Sequence, residues 1–429
     1  APADIVKTGS HFDLAIALSI LVASGQLLQK HVDHKLFVGE LSLGGDLRPL
    51  RGALGFAETA VRKGMDTIFT PSENAKQAAL LTKVNVVGIT TLLSVVLILL
   101  GENEISTTQT PNLSTFIQIN EDADMIDEIR GQEFAKRALI IAAAGHHNIL
   151  FSGTPGAGKT MLARSLPGLL PPLTAHEILE TTKIHSLAGE TDDIITTPPF
   201  RAPHNTASTV AIAGGGPNAK PGEISLAHNG VLFMDEIPEF SRGALELLRQ
   251  PLEDRTISIS RANAKTTYPA NFMLVATMNP CPCGYLGDPD HECTCSQQQI
   301  YNYQAKISGP LLDRIDMQVT VAKVARDKMF AKNHEPLQAA EFRRNIAKAR
   351  AKQMNRQGKP NASLSNKELS KFAPLDDSSR NLLDVATEKL NLSARSHFKI
   401  IRIARTIADL AGRDDIEQND IAEALQFRG

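Results

Sequence analysis

The segment from residue 153 to residue 160 constrains the fold of this chain more than any other. It matches the pattern GxxxxGK[ST] of phosphate-binding loops (P-loops) and consists of Gly153, Thr154, Pro155, Gly156, Ala157, Gly158, Lys159 and Thr160. A mostly apolar run, 148–151, precedes it and predicts a strand. Glycines let backbone N–H groups wrap a polyphosphate, Lys159 would reach the β- and γ-phosphates, and Thr160 would bind Mg²⁺. The segment therefore predicts an ATP site between a strand and a helix.

A second motif supports ATP hydrolysis. Residues 231–234 are four apolar residues, which suit a strand buried on both faces of a parallel sheet, and Asp235 and Glu236 follow at the carboxyl end. Asp235 would hold Mg²⁺, directly or through water, and Glu236 would polarise the attacking water. The alternative is a Gly-rich loop and a surface acid pair that occur together by chance. Both motifs in this order favour an ATPase.

Two later residues suit positions near the phosphates. The run 272–277 predicts another buried strand, and Asn279 just beyond it could orient the lytic water. Arg314 stands where a helix is predicted to end. An Arg from a neighbouring subunit can stabilise the charge on the γ-phosphate in the transition state. The alternative for Arg314 is a surface salt bridge to Asp313 or Asp316.

Composition shifts divide the 429 residues into four ranges. Residues 1–100 alternate short helices and strands, and 101–120 read as a polar, Thr/Asn-rich linker. Residues 121–322 alternate strands and helices around the nucleotide motifs, and 323–429 are helical. The alternation predicts an α/β fold, a doubly wound parallel sheet, followed by a helical lid domain.

The overall composition limits the partners. The net charge is −2, so any nucleic-acid site must be a local patch. The chain has no Trp and 5% aromatic residues, which argues against an extended base-stacking platform. The longest apolar run, 92–100, predicts a buried helix because a membrane span needs about 20 residues. No secretory signal opens the chain, so a cytoplasmic location is expected.

All four cysteines fall within the insertion 281–295: Cys281, Cys283, Cys293 and Cys295. Four thiols in 15 residues of a chain expected in a reducing compartment suggest a tetrahedral, structural Zn²⁺ site. The spacing C-x-C is less usual than C-x-x-C, and His291 could replace one thiolate. A redox pair and small buried thiols are the alternatives.

Two other insertions could contact a substrate. Residues 254–268 alternate in period two around a polar tip, which predicts a β-hairpin with Arg261 and Lys265 near its end. In a ring of subunits these cations could face a central pore and a phosphate backbone. The Gly-rich stretch 214–221 predicts a mobile loop that carries Lys220. The alternatives are an exposed hairpin and a plain connecting loop.

The order of these motifs resembles that of AAA+ ATPases. Two stretches, Pro-Gly-Glu-Ile-Ser-Leu-Ala-His-Asn-Gly (221–230) and Asn-Pro-Cys-Pro-Cys-Gly-Tyr (279–285), resemble the Mg-chelatase-like ComM/YifB family. Leu-Ser-Ala-Arg (392–395) and Ala-Arg-Thr-Ile-Ala-Asp-Leu-Ala-Gly (404–412) match that family too. The resemblance covers nearly the whole chain, and its motifs are specific.

The resemblance implies a ring-forming AAA+ motor, with six subunits as the expected number. It implies that Arg314 is the arginine finger and that Arg395 is a second phosphate sensor. It also implies a DNA helicase or branch-migration activity in natural transformation and recombination, with ATP and Mg²⁺. A magnesium-chelatase-type motor that drives metal insertion, and a protein-remodelling ATPase, are the alternatives. The DNA role comes from the resemblance alone.

Residues 1–100 are similar to the Lon-protease-like α+β domain in the stretches 39–43 and 70–74. That protease needs a Ser nucleophile and a Lys base. Here His11 stands where the family's Ser aligns, and Leu54 stands at or near the position of its Lys. Ser10 would take the place of that Ser if the register were shifted by one residue, but no Lys is left to activate it. The range is therefore expected to be proteolytically inactive. The family's opening strands are expected before the start of this chain, which would make the domain partial and leave a sheet edge unpaired.

Overall fold

The computed structural model of the chain describes residues 9–81, 83–111, 121–191, 193–216, 219–261, 264–324 and 338–428. The chain divides into two compact units. Unit 1 is Ala1–Ile117 with Thr174–Thr196, and unit 2 is Gln118–Leu173 with Thr197–Gly429. The segment 174–196 lies inside the predicted ATPase range but packs in unit 1. The four domain ranges drawn from the sequence stay a prediction.

The strands of the described residues, numbered in chain order, are β1 (Lys35–Phe37), β2 (Glu40–Leu41), β3 (Leu47–Arg48), β4 (Thr67–Pro71), β5 (Asn85–Ile89), β6 (Ile149–Ser152), β7 (Phe200–Arg201), β8 (Gly214–Gly215), β9 (Lys220–Pro221), β10 (Val231–Met234), β11 (Thr256–Arg261), β12 (Ala264–Pro269), β13 (Met273–Met278) and β14 (Met317–Thr320).

The α-helices of the same residues are α1 (Asp13–Ala23), α2 (Gln29–Val32), α3 (Ala53–Arg62), α4 (Ser72–Ala78), α5 (Leu92–Leu100), α6 (Glu133–Gly145), α7 (Lys159–Ser165), α8 (Ala175–Ala188), α9 (Thr209–Ala213), α10 (Glu223–Leu226), α11 (Arg242–Leu247), α12 (Arg249–Asp254), α13 (Gln297–Gln304), α14 (Gly309–Leu312), α15 (Ala339–Gln357), α16 (Asn366–Phe372), α17 (Asp377–Lys389), α18 (Ala394–Leu410) and α19 (Gln418–Gln426).

Unit 1 is built on three parallel strands in the order β1-β4-β5. Helix α8 joins this unit through buried polar contacts: Ser186 Oγ accepts the N–H of Gly52 at 2.9 Å and donates to Gln77 Oε1 at 3.0 Å. Lys183 of α8 also pairs with Glu58 of α3. Buried hydrogen bonds of this kind depend on both partners, because an unpaired buried hydroxyl is costly.

Helix α5 forms where the apolar run predicted a helix, but it is not buried as expected. Val95 and Leu99 point into the core, whereas the side chain of Leu93 is 66% exposed. None of the helices in the described part of the chain is both long and apolar enough to cross a bilayer.

The predicted linker, 101–120, falls partly outside the described residues, which stop at residue 111 and resume at residue 121. Its first part is attached to the sheet of unit 1. The Thr108 N–H donates to Val86 O at 2.7 Å, and Thr107 forms an isolated bridge with Val87. These backbone contacts add a short segment to the sheet beside its last strand, β5.

The centre of unit 2 is a five-stranded sheet in the order β14-β6-β13-β10-β7, with every neighbouring pair parallel. Adjacent residues of a strand pack on opposite faces of this sheet. Phe151 and Phe233 lie in one hydrophobic core, and their neighbours Leu150 and Leu232 lie in the other. A sheet buried on both faces needs helices on both sides. The predicted doubly wound α/β fold is confirmed.

The helical C-terminal region packs on one of these faces. Ile400, Ile403 and Ile407 of α18 recur at helical spacing, are fully or almost fully buried, and share a core with Phe151 of β6. This confirms the predicted helical lid.

Candidate nucleotide site and cysteine cluster

The P-loop runs from the carboxyl end of β6 into α7. Gly156 and Gly158 have φ angles of +78° and +88°, in the left-handed region where glycine has no steric penalty. A Cβ on Gly153 would lie 2.2 Å from the carbonyl oxygen of Val321, so this position has no room for a side chain. The loop follows the carboxyl end of a strand in the parallel sheet, which is the end where ligands usually bind in such folds.

Lys159 lies under the loop and contacts it directly. Its Nζ donates to Gly153 O at 2.6 Å, to Thr154 O at 3.0 Å and to Asn279 Oδ1 at 3.1 Å. Burial lowers the pKa of Lys159, and the nearby carboxylates of Asp235 and Glu236 oppose that shift. A phosphate oxygen in the loop would compete with these three acceptors for the protons of Lys159 Nζ.

Thr160 and Asp235 form a pair of oxygen ligands at the start of α7 and the end of β10. Thr160 Oγ1 lies 3.4 Å from both carboxylate oxygens of Asp235. Two oxygens bound at right angles to one Mg²⁺ are about 3 Å apart, because Mg–O bonds are about 2.1 Å long. The two side chains would therefore need only a slight closure to bind one Mg²⁺, and their role as Mg²⁺ ligands stays a prediction.

Asn279, the predicted polar residue beyond β13, lies between the two catalytic candidates. Its Oδ1 accepts from Lys159, and its Nδ2 lies 3.5 Å from Glu236 Oε1. Helix α13 supports the loop, since Gln304 Nε2 donates to Pro280 O at 3.0 Å. The structure thus brings Lys159, Asp235, Glu236 and Asn279 to the same edge of the sheet.

Arg314 and Arg395 lie together, but at the other end of the sheet. Arg314 forms an ion pair with Glu253 of α12, and Arg395 Nη2 lies 3.7 Å from the same carboxylate. The sequence offered Asp313 or Asp316 as the salt-bridge partner of Arg314, whereas in the structure the partner is Glu253. Glu253 was missed because only the tertiary fold brings α12 beside α14 and α18.

The strand register explains why the arginines are far from the P-loop of their own chain. Met317, the first residue of β14, pairs with Ile149, the first residue of β6. Arg314 precedes β14, so it lies at the amino ends of the strands, whereas the P-loop follows their carboxyl ends. Asn148 holds this end in place, with its Nδ2 donating to Arg314 O at 3.1 Å. A four-residue strand spans about 13 Å.

A basic cavity of about 400 Å³ surrounds this arginine pair. Its lining carries more cations than acids. The cations are Arg255, Arg314, Arg395, Lys399 and Arg402, and the acids are Glu253, Asp313 and Asp316. A surplus of positive charge around a cavity suits an anionic ligand.

The four cysteines come together as predicted for a metal site. All four Sγ atoms lie within 4.8 Å of one another, and Cys281 is fully buried. Sγ separations of 3.4, 3.6 and 3.7 Å join Cys281, Cys283 and Cys293. A tetrahedral Zn²⁺ with Zn–S bonds of about 2.3 Å needs separations of about 3.8 Å, whereas a disulfide needs about 2.05 Å. The thiols are free and fit zinc.

Backbone groups support two of these sulfurs. Leu286 N–H donates to Cys281 Sγ, and Cys283 N–H donates to Cys295 Sγ, each at 3.4 Å. Such second-sphere hydrogen bonds orient metal-binding thiolates. His291 stacks on Tyr285 with ring centroids 4.8 Å apart and lies outside the four-sulfur group.

The cysteine loop is anchored beside the P-loop. Asp288 forms an ion pair with Lys323 at 2.6 Å, just past the end of β14. Gly284 packs against the P-loop itself, because a Cβ built on it would lie 2.7 Å from Pro155 Cγ. The sequence could not reveal this contact between segments more than a hundred residues apart.

The two other insertions pack against each other. β11 and β12 pair antiparallel from Thr256↔Pro269 to Arg261↔Ala264, which confirms the predicted hairpin; residues 262 and 263 of its tip lie outside the described residues. Where the sequence predicted a mobile loop at 214–221, strands β8 and β9 pair antiparallel; residues 217 and 218 between them lie outside the described residues. Tyr268 of β12 donates its hydroxyl to Ala219 O at 2.8 Å.

Family models cover most of the chain. The model described as "Magnesium chelatase, subunit ChlI" matches residues 124–329, and "Magnesium chelatase, subunit ChlI C-terminal" matches residues 337–428. A third, "Subunit ChlI of Mg-chelatase", matches residues 1–74.

Among similar proteins, the competence protein ComM of Haemophilus influenzae is 45% identical over 432 residues, which cover 100% of this chain and 84% of that protein. The protein YifB of Salmonella typhimurium is 39% identical over 430 residues, with 100% and 84% covered. A magnesium-chelatase 67 kDa subunit of Heliobacterium mobile is 28% identical over 190 residues, which cover 37% of this chain and 28% of that subunit. The similarity to ComM and YifB covers the whole of this chain, and the P-loop fold agrees with it. The chain therefore belongs to the Mg-chelatase-like ComM/YifB family of AAA+ ATPases.

Proposed function

We propose that this chain is the subunit of an ATP-driven ring motor that remodels DNA, with helicase or branch-migration activity in natural transformation and recombination. The observation that carries the proposal is the separation of Arg314 and Arg395 from the P-loop of their own chain, with a strand of about 13 Å between them. A catalytic arginine at that distance can reach a γ-phosphate only on another subunit.

In this proposal each ATP site is completed by a neighbouring copy of the chain. Lys159 and the P-loop of one subunit bind the phosphates, and Arg314 and Arg395 of the next subunit reach them from the basic cavity. Closed rings form when one surface binds a different surface of the next copy and the rotation between copies closes. Six copies is the number expected for the ring.

Within one subunit, the proposed roles follow the geometry. Thr160 and Asp235 would hold Mg²⁺, which neutralises phosphate charge when bound. Glu236 would accept the proton of the attacking water, and Asn279, which lies between Lys159 and Glu236, would orient that water. Hydrolysis at this edge would then move the helical lid that packs on the same sheet.

Two hairpins are the proposed DNA contacts. Strand register puts Arg261 and Lys265 in the last pairs before the hairpin tip, and Lys220 is exposed on β9 next to that hairpin. A ring would repeat these cations around its axis, giving a collar for a phosphate backbone despite the net charge of −2. One relative is a competence protein, which supports a role in natural transformation.

The cysteine cluster is proposed as a structural Zn²⁺ site. Four sulfur ligands leave no open position on the metal, so a catalytic role is not expected. A cytoplasmic location, also a proposal, would keep the thiols reduced and available to the metal.

One alternative has a specific observation in its favour. Part of the chain is 28% identical to a magnesium-chelatase subunit, which supports a motor that drives metal insertion. The identity to this chelatase subunit is lower, and covers less of the chain, than the identity to the competence protein, which favours the DNA role. Remodelling of a protein is the remaining alternative. The ATP hydrolysis experiment described below separates it from the DNA role.

The test is steady-state ATP hydrolysis without DNA, with linear duplex and with a four-way junction, using Lys159→Ala as the blank. We expect turnover that rises severalfold on the junction. Robust turnover that is indifferent to all DNA would reject the DNA role and leave metal insertion or a protein client.

A further inference from the structure

Strand β13 carries a buried hydroxyl next to the ATP site that the P-loop motifs do not include. Thr277 is 0% exposed in a strand whose other residues are apolar. Its Oγ1 donates to Asp235 Oδ1 and accepts the backbone N–H of Glu236 at 2.9 Å. A carboxylate can only accept and an amide N–H can only donate, so the direction of both bonds is unambiguous.

The first of these bonds fixes the Asp235 carboxylate. The adjacent strands β10 and β13 pair in parallel up to Met234↔Ala276, so Asp235 and Thr277 each follow directly on the last pair. The hydroxyl proton of Thr277 is donated to Asp235, so rotation of the carboxylate would break a buried hydrogen bond. The carboxylate is thereby held 3.4 Å from Thr160 Oγ1, where Mg²⁺ would be bound.

The second bond fixes the backbone of Glu236. This residue has φ of +51° and ψ of +52°, the left-handed conformation that costs a non-glycine residue energy. The hydrogen bond from its N–H to Thr277 offsets that cost. Its side chain is then directed to within 3.5 Å of Asn279 rather than along the path of the strand.

We propose that Thr277 is the positioning residue of this ATPase site: a single hydroxyl holds the Mg²⁺ ligand Asp235 and the base Glu236 in register with each other. The inference rests on the roles of Asp235 and Glu236 in the proposed function. It requires only the hydroxyl of Thr277, not its methyl group. It predicts that loss of the hydroxyl weakens the Mg²⁺-dependent part of nucleotide binding as well as hydrolysis.

The experiment compares Thr277→Val, which keeps the shape and removes the hydroxyl, with Thr277→Ser, which keeps the hydroxyl. Binding of a fluorescent ATP analogue is titrated in EDTA and in Mg²⁺, and hydrolysis is measured without DNA. For Thr277→Val we expect unchanged affinity in EDTA, an affinity gain from Mg²⁺ that is about tenfold smaller, and kcat lower by about 10- to 100-fold. Thr277→Ser is expected to stay within about threefold of the wild type in each.

The matched control is Thr70→Val in unit 1, another fully buried Thr on a strand, whose Oγ1 lacks a hydrogen-bond partner among the described residues. It should leave both measurements unchanged. If Thr277→Val does not fold, Thr277→Ala and Thr277→Ser are compared, since they differ by the hydroxyl alone. Equal Mg²⁺-dependent binding in the variants with and without the hydroxyl would overturn the proposal. Absence of DNA stimulation would reject the DNA role and leave this result untouched.

Discussion

Gly284 of the cysteine loop packs directly on Pro155 of the P-loop. A Cβ built on Gly284 would lie 2.7 Å from Pro155 Cγ and 2.9 Å from its Cδ, and Gly284 also has φ of +88°. The loop that carries the four thiols is therefore in direct contact with the loop that would hold the phosphates. A change in the cluster can therefore reach the phosphate-binding loop through this contact.

We expect Gly284→Ala to weaken nucleotide binding about tenfold or more, because the added methyl must displace the P-loop. Gly287→Ala is the matched control. Gly287 lies in the same loop with φ of +78°, but a Cβ there meets nothing within 4 Å. Titration of a fluorescent ATP analogue checks both variants. Equal affinities of the two variants would show that the contact between Gly284 and Pro155 does not control nucleotide binding.

Purified protein should contain one zinc per chain by elemental analysis. Cys281→Ser should remove most of it, because Cys281 is the fully buried member of the cluster. Removal of the metal by a chelator should also lower the melting temperature of the protein, since metal ligation stabilises the folded loop. A content far below one zinc per chain in protein grown with zinc would favour small buried thiols instead.

Glu236→Gln should bind ATP and fail to hydrolyse it, because the amide keeps the shape of the side chain and cannot accept the proton of water. The variant should accumulate assembled rings with ATP bound, detectable by size-exclusion chromatography. Lys159→Ala, in contrast, should lose nucleotide binding itself. Normal turnover by Glu236→Gln would remove this residue from the proposed mechanism.

Subunit mixing tests whether both arginines act on the neighbouring ATP. Arg314→Ala and Arg395→Ala should each bind ATP and lose hydrolysis, by roughly 10³-fold for the finger. Mixing either one with Lys159→Ala should restore part of the activity, because some interfaces then pair an intact P-loop with intact arginines. If Arg395 instead served its own subunit, only Arg314→Ala would be complemented.

Unfolding should respond to pH through His147, which is fully buried with its Nε2 2.8 Å from Thr406 Oγ1. Burial lowers the pKa of His147, with Arg402 and Arg350 adding to the shift and Asp316 opposing it. The unfolded chain therefore binds a proton below about pH 6.5 that the folded chain does not, and the free energy of unfolding falls as the pH drops through that range.

The variant His147→Gln carries no titrating group and should have a shallower acid slope. The expected difference is at most about 1.4 kcal/mol per pH unit below pH 6.5, by denaturant unfolding at several pH values. Parallel pH curves for the two proteins would contradict this assignment.

The nucleotide edge of the fold could be predicted closely from sequence. P-loops and strand-end acids are local patterns, because a glycine-rich turn and a buried strand each need only neighbouring residues. The strands predicted at 231–234 and 272–277 appear as Val231–Met234 and Met273–Met278. A Thr inside an otherwise apolar strand was the signal for Thr277, but its two partners could not be read from the pattern.

The sequence by itself determined the chemistry that is available: a phosphate loop, two acids, an Asn, two arginines and four clustered thiols. The tertiary structure alone decided which of these groups share a site. Parallel pairing of β6, β13 and β10 brings Lys159, Asn279 and Glu236 to one edge, and the register of β14 puts Arg314 at the other. Strand order and register arise from packing between segments far apart in the chain, and local patterns carry no record of that packing.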